Sequence, residues 1–351
     1  MIFWFLGNFI YFSIKTSSSY EALLIIFYFK HYSSLYGNFY ASFTEFIIFG
    51  LIFSLITIDL FRKYNPADTS RELARFCDNH VVIIGYNHVG KRIVDYFHEN
   101  TDYDVVIIEK RENLVKDLIE NELAVINDDA LKIETLKDAS IEKARAVYVM
   151  SDNLEVQLVV NANIRELNKY CKLVCRVFED DIGDLIAKTY NAIVISTSKF
   201  ASEIIFKKIS KHNYKKILLI GLDHIALRLI EKIKQRGNID YYIIEEDEEK
   251  IEQLMIPKET IIIGDPKEEL ILGRANVLER DCIINTISDV TDIILITRKI
   301  RELNSKCKIF SRFFLDSVAE VLERPPFRSK VISSSKQTLK IMTKEGILDL
   351  S

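Results

Sequence analysis

This sequence has no excess of basic residues and no CxxC pair of cysteines. The 351 residues carry 47 Lys and Arg against 51 Asp and Glu, a formal net charge of −4. This balance provides no basic footprint, so we expect no nucleic-acid partner. The five cysteines form no CxxC pair, and Cys171 and Cys175 are expected to be reduced core residues rather than metal ligands. No metal site is predicted from them.

Charged residues are nearly missing from residues 1–61. This segment holds only five of them, together with 12 of the 21 Phe and the single Trp. It lacks the cationic start and the small-residue cleavage site of a signal peptide. Its clearest membrane-spanning candidate is 43–61, which suits the roughly 20 residues that a hydrocarbon core of about 30 Å requires. Phe61-Arg62-Lys63 follows, so the positive-inside bias predicts that this end faces the cytoplasm.

The two upstream apolar segments are shorter. Residues 1–14 are apolar but short for a full span, and 20–29 are shorter still. The region of about 20–40 therefore favours a re-entrant segment over a crossing. Two other interpretations stay open: two irregular membrane-anchoring helices, or one anchoring helix preceded by apolar N-terminal sequence.

The rest of the chain is a duplication. Residues 164–178 read IRELNKYCKLVCRVF and residues 300–314 read IRELNSKCKIFSRFF, at an offset of 136. VISTSK at 194–199 and VISSSK at 331–336 repeat at 137. We therefore predict two copies of one fold, at 78–212 and 213–351, after a helical linker at 62–77.

Each copy alternates short β-branched runs with helical patterns. HVVIIG at 80–85 is typical of a strand buried on both faces, and YDVVIIE ends in Glu109. Strands that alternate with helices indicate βαβ units and a parallel sheet. The predicted fold class for this part is α/β, with two Rossmann-like, doubly wound parallel-sheet domains.

A glycine turn follows the first strand of each copy. In the first copy it contains Gly85, Asn87 and Gly90, where a dinucleotide fingerprint has three glycines, and Glu109 is placed to bind a ribose hydroxyl. In the second copy Asp223 puts a carboxylate where a phosphate would lie, which opposes the attraction of the helix N-terminus for anions. Nucleotide binding is thus predicted for the first copy. The alternative is that both turns serve only as scaffold.

These features resemble the RCK domain (regulator of K⁺ conductance), also called the TrkA N-terminal type. The resemblance rests on Glu109, on the segment 127–130 (NDDA) where that family has Gly-Asp-Ala-Thr, on SIEKARAVYVMSDN at 140–153, and on the strand-borne Arg176. It implies a ligand cleft that includes Asp128 and Arg176 and binds NAD(H), ADP or ATP, or a divalent cation. It also implies pairing of the domains into a ring that opens or closes a K⁺ pathway.

With such domains behind it, the apolar head resembles the pore of a two-helix K⁺ channel: two transmembrane helices and a pore helix. Glu21-Ala22-Leu23 would open the pore helix. The stretch YSSLYGNFY at 32–40 would be the selectivity filter rather than a simple turn, with these filter-like residues: Ser33, Ser34, Leu35, Tyr36 and Gly37. The filter is degenerate, because Leu35 stands at a glycine position whose left-handed backbone costs other residues about 1–2 kcal/mol.

Three functions compete at this point. The first is a homotetrameric, multi-pass K⁺-channel-like protein of the cell membrane, in contact with lipid, passing K⁺ and gated by cytoplasmic RCK domains that sense a nucleotide or cation. The second is a non-conducting, membrane-anchored nucleotide sensor or accessory subunit of K⁺ transport. The third, an NAD-dependent oxidoreductase, lacks a catalytic His/Asp or Cys/His pair after the Rossmann halves, so we expect no enzyme. Asp152 and Asp289 are either solvated loop acids or ligands of a divalent cation.

Overall fold

The computed structural model describes residues 2–252, 257–313 and 316–350, and the chain forms two compact units, residues 1–68 and 69–351. The predicted domain limits at Met1 and Ser351 lie outside the described residues. The side chains of residues 61–64, on which the predicted orientation in the membrane depends, are also outside them.

Three helices form the first unit, and their aromatic side chains make its core. They are α1 (Ile2–Thr16), α2 (Ser19–Ile26) and α3 (Leu35–Tyr64). The buried side chains come from all three helices: Phe12, Ala22, Ile25, Ile26 and Tyr40. Trp4 Nε1 donates to Thr44 Oγ1 at 3.0 Å, and Tyr36 Oη donates to Asn8 Oδ1 at 2.9 Å. These contacts tie α1 to the first part of α3.

The remainder of α3 is apolar and uncovered. Phe46, Phe49 and Phe53 are 71%, 68% and 62% exposed. The stretch Leu35–Ile58 is long and apolar enough to cross a membrane, with a mean hydropathy of 2.0, and it is the one such helix in the described part of the chain. By comparison, the 15 residues of α1 reach only about 22 Å at about 1.5 Å per residue. A second crossing stays a prediction.

The filter-like residues do not form the expected extended loop. Ser33 and Ser34 precede α3, whereas Leu35, Tyr36 and Gly37 are its first turn. Ser34 Oγ accepts from Gly37 N at 2.9 Å, which is the contact of a helix N-cap. A Cβ on Gly37 would overlap the carbonyl oxygen of Tyr32, so glycine is needed here for close packing. The serine that the sequence presented as part of a filter starts a helix in this structure.

Two six-stranded parallel sheets organise the second unit. Their order is β3-β2-β1-β4-β5-β6 and, identically, β9-β8-β7-β10-β11-β12. The first sheet contains these strands: Val81–Ile84 (β1), Val105–Ile108 (β2), Val125–Ile126 (β3), Ala146–Val149 (β4), Lys172–Arg176 (β5) and Ile193–Ile195 (β6). The second contains these: Lys216–Ile220 (β7), Asp240–Glu245 (β8), Ile261–Ile263 (β9), Cys282–Asn285 (β10), Lys308–Arg312 (β11) and Ser329–Ile332 (β12). The predicted doubly wound parallel sheets are confirmed.

Helices cover both faces of each sheet, which is why the central strands are fully buried. After the linker helix α4 (Pro66–Phe76), the helices of the first copy are α5 (His88–Asn100), α6 (Glu112–Glu120), α7 (Ile133–Asp138), α8 (Leu154–Leu167), α9 (Asp180–Tyr190) and α10 (Thr197–His212). Those of the second are α11 (His224–Arg236), α12 (Glu248–Glu252), α13 (Glu269–Arg274), α14 (Val290–Leu303), α15 (Asp316–Glu323) and α16 (Ser334–Lys344).

The last helix of each copy packs on the sheet of the other copy. Ala201, Ile205 and Ile209 of α10 belong to the core beneath the second sheet. Met342 of α16 and Leu350 of the following tail belong to the core beneath the first. The predicted domains 78–212 and 213–351 therefore do not have separate cores: each sheet needs a helix from the other segment.

The predicted linker at 62–77 is helical, but it is not a free spacer. Helix α3 runs on to Tyr64, and α4 begins one residue later at Pro66. Ser70 Oγ donates to the carbonyl of Leu123 and accepts from Val125 N at 2.9 Å, so α4 is bound to the chain around β3. Ala74 is buried in the core beneath the first sheet. The linker from residue 69 onward is thus part of the first Rossmann domain.

Candidate functional site

A cleft of about 390 Å³ opens at the carboxyl ends of β1, β2 and β4 in the first sheet. The strand order reverses between β1 and β4, which is where doubly wound sheets bind ligands. The lining comes from the glycine turn and from the loops after β2, β3 and β4: Gly85, Asn87, Glu109, Lys110, Arg111, Asp128, Asp129, Ser151, Asp152 and Asn153.

The glycine turn has the geometry that lets helix and strand approach closely. Gly85 has φ of +96°, a left-handed conformation that side chains disfavour. A Cβ on Gly90 would overlap the carbonyl oxygen of Gly85, so α5 starts against the turn only because Gly90 has no side chain. These two glycines keep the roles that the fingerprint assigns to them.

Asn87 occupies the start of α5. Its Oδ1 accepts from Val89 N at 3.0 Å and Gly90 N at 3.1 Å, while its Nδ2 donates to the carbonyl of Met150. Those two backbone N–H groups are the donors that an anion at a helix N-terminus would use. A bound phosphate therefore has to compete with the Asn87 side chain.

Cations lie near the start of α5, but two of them are paired with carboxylates. Burial lowers the pKa of His88, and the positive charges of Arg92, Lys91, Arg111 and Arg176 lower it further. Arg111 pairs with Glu109, and Arg176 pairs with Asp152. The dipole of α5 is the feature that favours an anionic group at this end of the cleft.

Glu109 lies at the end of β2, in contact with the glycine turn. Its carboxylate accepts from Tyr86 N at 2.8 Å and from Arg111 Nε and N at 2.9 Å each. Burial raises its pKa, but the hydrogen bonds from Arg111 and Tyr86 outweigh burial and lower the pKa overall. Glu109 is therefore an ionised acceptor at the end of β2, where a ribose hydroxyl binds in Rossmann folds.

Asp128 is held by two cations from different elements. Lys132 Nζ and Arg71 Nη2 each lie 2.7 Å from its carboxylate oxygens, and Arg71 belongs to α4. Burial raises the pKa of Asp128, but the hydrogen bonds from Lys132, from the Asp129 backbone and from Arg71 lower it well below its usual range. The ionised carboxylate thus joins the cleft to the linker helix.

Arg176 lies beside the cleft rather than in its lining. It is 7% exposed, forms an ion pair with Asp152, and its guanidinium carbon lies 4.8 Å from the centroid of the Phe178 ring. That ring stacks on His224 of the second copy, with centroids 4.6 Å apart and planes 5° apart. Burial lowers the pKa of Arg176. This column of four side chains fills the space at the end of β5.

The second cleft, of about 220 Å³, is occupied by its own ion pairs. Asp223 caps α11 by accepting from Ile225 N at 3.0 Å and Ala226 N at 2.9 Å, and it also pairs with Arg312. Lys267 Nζ lies 2.8 Å from Asp292. A negative charge therefore stands in the turn where the first cleft has a neutral amide, and a phosphate does not fit there.

The sequence matches the TrkA-N domain twice, at residues 81–197 and 217–334, which together exceed half of the chain. This chain belongs to the TrkA-N domain family. Each TrkA-N match ends at the first residue of the helix that packs on the sheet of the other copy, at Thr197 of α10 or Ser334 of α16.

The chain is similar to potassium channel protein 1 of Methanocaldococcus jannaschii, with 29% identity over 131 residues. The match covers 36% of this chain and 39% of that protein, so it spans well under half of the relative's length.

Among solved structures, the GsuK channel has a TM-score of 0.71 at 17% identity, over 99% of this chain and 88% of that one. GsuK bound to ADP (0.68, 17% identity, 95% and 89% covered) and GsuK bound to NAD (0.67, 13%, 99% and 78%) are similar as well. At these identities the likeness is one of fold.

Four of the predicted TrkA-N site residues line the first cleft: Gly85, Asn87, Glu109 and Asp128. Gly90 supports the turn from inside α5, and Arg176 lies beside the cleft. Arg71 and Arg111 were not predicted, and no sequence signal singled them out, because surface arginines are common on helices and loops. Asp152 pairs with Arg176 and Asp289 caps α14. No group of three or more His, Cys, Asp or Glu side chains able to hold a metal occurs among the described residues.

Proposed function

We propose that the chain is a membrane-anchored regulatory protein of potassium transport whose first TrkA-N cleft binds a nucleotide without transforming it. The observation that carries this proposal is the contrast between the clefts. The first has the uncharged Asn87 in its turn and the ionised Glu109 at the end of β2, whereas the second has the carboxylate of Asp223 in the turn. In this proposal Glu109 binds a ribose hydroxyl and the start of α5 binds phosphate. The ADP and NAD held by GsuK support the ligand class.

The proposed route of regulation runs through Arg71. This residue binds the cleft acid Asp128, and its helix α4 is separated from the apolar helix α3 by a single residue, Asn65. A ligand that changes the charge around Asp128 changes how firmly α4 is held, and through chain continuity it biases α3. The proposal includes assembly of several chains through their TrkA-N domains, on the cytoplasmic side of the cell membrane.

Ion conduction by the chain itself is the second candidate. The similarity to a potassium channel supports it, whereas the helical Leu35–Gly37 turn favours the non-conducting alternative, because helical carbonyls are committed to hydrogen bonds within the helix. Potassium flux into liposomes that contain the purified chain separates the two. Flux would favour a pore, and a lack of flux alongside nucleotide binding would favour an anchored sensor.

Calorimetry on the full chain in detergent tests the nucleotide site. We expect ADP to bind with a stoichiometry of one per chain. Glu109→Ala should weaken binding at least about tenfold, because it removes a charged acceptor worth about 1.5–3 kcal/mol. Asn87→Gly should strengthen binding, because it frees the N–H groups of Val89 and Gly90 while costing only a few tenths of a kcal/mol as a cap.

The matched control is Ser333→Gly, which removes the neutral N-cap of α16 away from the cleft and should leave ADP binding unchanged. Unaltered affinity in Glu109→Ala would contradict the ribose assignment. No ADP binding at all would contradict the proposed function.

A further inference from the structure

The first cleft offers space on only one side of its glycine turn. Its lining extends from the turn over the ends of β2 and β3, through Glu109, Asp128 and their neighbours. On the other side it ends at the loop after β4, with Ser151, Asp152 and Asn153. Arg176 and Phe178, at the end of β5, lie outside the lining. A Rossmann sheet binds the two halves of a dinucleotide on opposite sides of this point.

The space at the ends of β4 and β5 is filled by side chains that support one another. Asp152, Arg176, Phe178 and His224 form a continuous column, in which an ion pair, a cation–π contact and a ring stack follow in order. Of its two charged members, Arg176 is more than nine-tenths buried, whereas Asp152 is exposed.

The column is also fixed from behind by the second copy. Arg228 Nη2 of α11 donates to the carbonyl of Phe178 at 2.6 Å, and the same side chain holds Asp180 at 2.7 and 2.9 Å. The second copy has no equivalent of the ion pair between Asp152 and Arg176 among the described residues. Ser288 stands at the position that corresponds to Asp152, and Arg312, the strand arginine of that copy, binds Asp223 instead. In the part of the chain that the structure describes, the ion pair between the loop after the fourth strand and the strand arginine is therefore specific to the first copy.

We infer that the first cleft selects a mononucleotide such as ADP and rejects dinucleotides, because the column Asp152–Arg176–Phe178–His224 occupies the place of the second nucleotide half. This inference rests on the proposed function and specifies its ligand. A dinucleotide could enter only by breaking the ion pair of the buried Arg176 with Asp152 and unstacking Phe178 from His224. A mononucleotide with its base toward β2 and β3 leaves the column intact.

Competition calorimetry on the full chain in detergent, with ADP, NAD⁺ and nicotinamide mononucleotide, tests this selection. We expect ADP to bind at least tenfold more tightly than NAD⁺, and nicotinamide mononucleotide not to compete with ADP. Equal or tighter binding of NAD⁺ would overturn the inference and leave the proposed function intact. Binding of neither ADP nor NAD⁺ would overturn both.

Variants of the column provide the second test. Phe178→Ala should reduce the preference for ADP over NAD⁺ severalfold, because it removes the ring between Arg176 and His224. His224→Ala, at an exposed position on α11, should act in the same direction even if Phe178→Ala fails to fold. The control is Tyr170→Ala, an aromatic residue 96% exposed before the start of β5, which should keep the wild-type ratio. An unchanged ratio in folded His224→Ala and Phe178→Ala would contradict the role of the column.

Discussion

One carboxylate accompanies the strand arginine in each copy, but it comes from a different place. In the first copy Asp152, in the loop after β4, pairs with Arg176, and the turn holds the neutral Asn87. In the second copy the carboxylate is Asp223 in the turn itself, where it both caps α11 and pairs with Arg312. This relocated charge distinguishes a cleft that can accept an anion from one that cannot. The sequence showed the charge in the turn, but not its arginine partner.

A buried histidine makes the stability of the chain depend on pH. His80 is fully buried, its Nε2 lies 3.0 Å from the carbonyl oxygen of Ala139, and its Nδ1 has no hydrogen-bond partner. Burial lowers the pKa of His80 from its ordinary value of about 6.5. The folded chain therefore binds fewer protons than the unfolded chain between the lowered pKa and about 6.5. Its free energy of unfolding should fall as the pH decreases through this interval, and level off below the lowered pKa.

Denaturation of the chain at a series of pH values between about 5 and 8 measures this dependence. His80→Gln keeps a donor for Ala139 and should flatten the slope below about pH 6.5, whatever its effect on the absolute stability. His98→Gln, at an exposed position on α5, should keep the wild-type slope. An identical slope in His80→Gln would show that the proton uptake belongs to another group.

Among the elements, α4 connects the cleft with the apolar part of the chain. Its two arginines offer a matched comparison: Arg71 and Arg75 both bind Asp138, but only Arg71 also reaches Asp128. In the proposed orientation the base of ADP lies toward β2 and β3, beside Asp128, and excludes water from the ion pair between Asp128 and Arg71. A less hydrated ion pair is stronger, so Arg71 should be held more firmly at the cleft. We therefore expect ADP to slow hydrogen exchange of the α4 backbone.

Exchange measured by mass spectrometry on two variants tests this coupling. In Arg71→Gln the protection of α4 by ADP should disappear, and ADP affinity should fall about two- to fivefold, since a partly exposed ion pair is worth up to about 1 kcal/mol. In Arg75→Gln the protection should persist. Equal loss of protection in both variants would mean that α4 responds to general loosening rather than to Asp128.

Long apolar runs and repeated spacing were sufficient to predict the central elements. The strands HVVIIG and YDVVIIE are buried on both faces, so their composition shows their place in the sheet. The sixth strand of the first sheet was not predicted, because β6 has only three residues and its first, Ile193, is 38% exposed. The predicted loop conformation of the filter-like residues was wrong, because Ser34 is the N-cap of a helix. A serine before an apolar run is compatible with a loop or with the start of a helix.

For the whole molecule, the exchange of α10 and α16 makes the two copies depend on each other. An amphipathic helix after a strand has the same sequence pattern whichever sheet it covers, so the exchange could not be predicted. The tail after α16 adds further contacts with the first sheet. Tyr148 Oη donates to the carbonyl of Ile347 at 3.1 Å, and Lys172 Nζ donates to the carbonyl of Asp349 at 2.8 Å.

We therefore expect residues 69–351 to unfold in a single cooperative transition, and residues 69–212 alone not to fold stably. Deletion of 345–351 removes the buried Ile347, Leu348 and Leu350 and should lower the free energy of unfolding by at least about 4.5 kcal/mol, at about 1.5–3 kcal/mol for each side chain. Chemical denaturation measures both effects. Leu278→Ala, at a position 68% exposed, is the control. Two separate transitions in 69–351 would contradict the mutual dependence.

The position of the Asp223 carboxylate also affects how steeply an assembly of chains could respond to ligand concentration. If the first cleft binds a nucleotide as proposed, each chain contributes a single responsive site despite its duplicated architecture, because Asp223 closes the other cleft with a fixed charge. A ring of such chains would therefore saturate with half as many ligands as it has folded modules. The second copies, which bind no ligand, would serve as rigid partners of the first. With one binding site per chain, the Hill coefficient of any dose–response curve is limited to the number of chains.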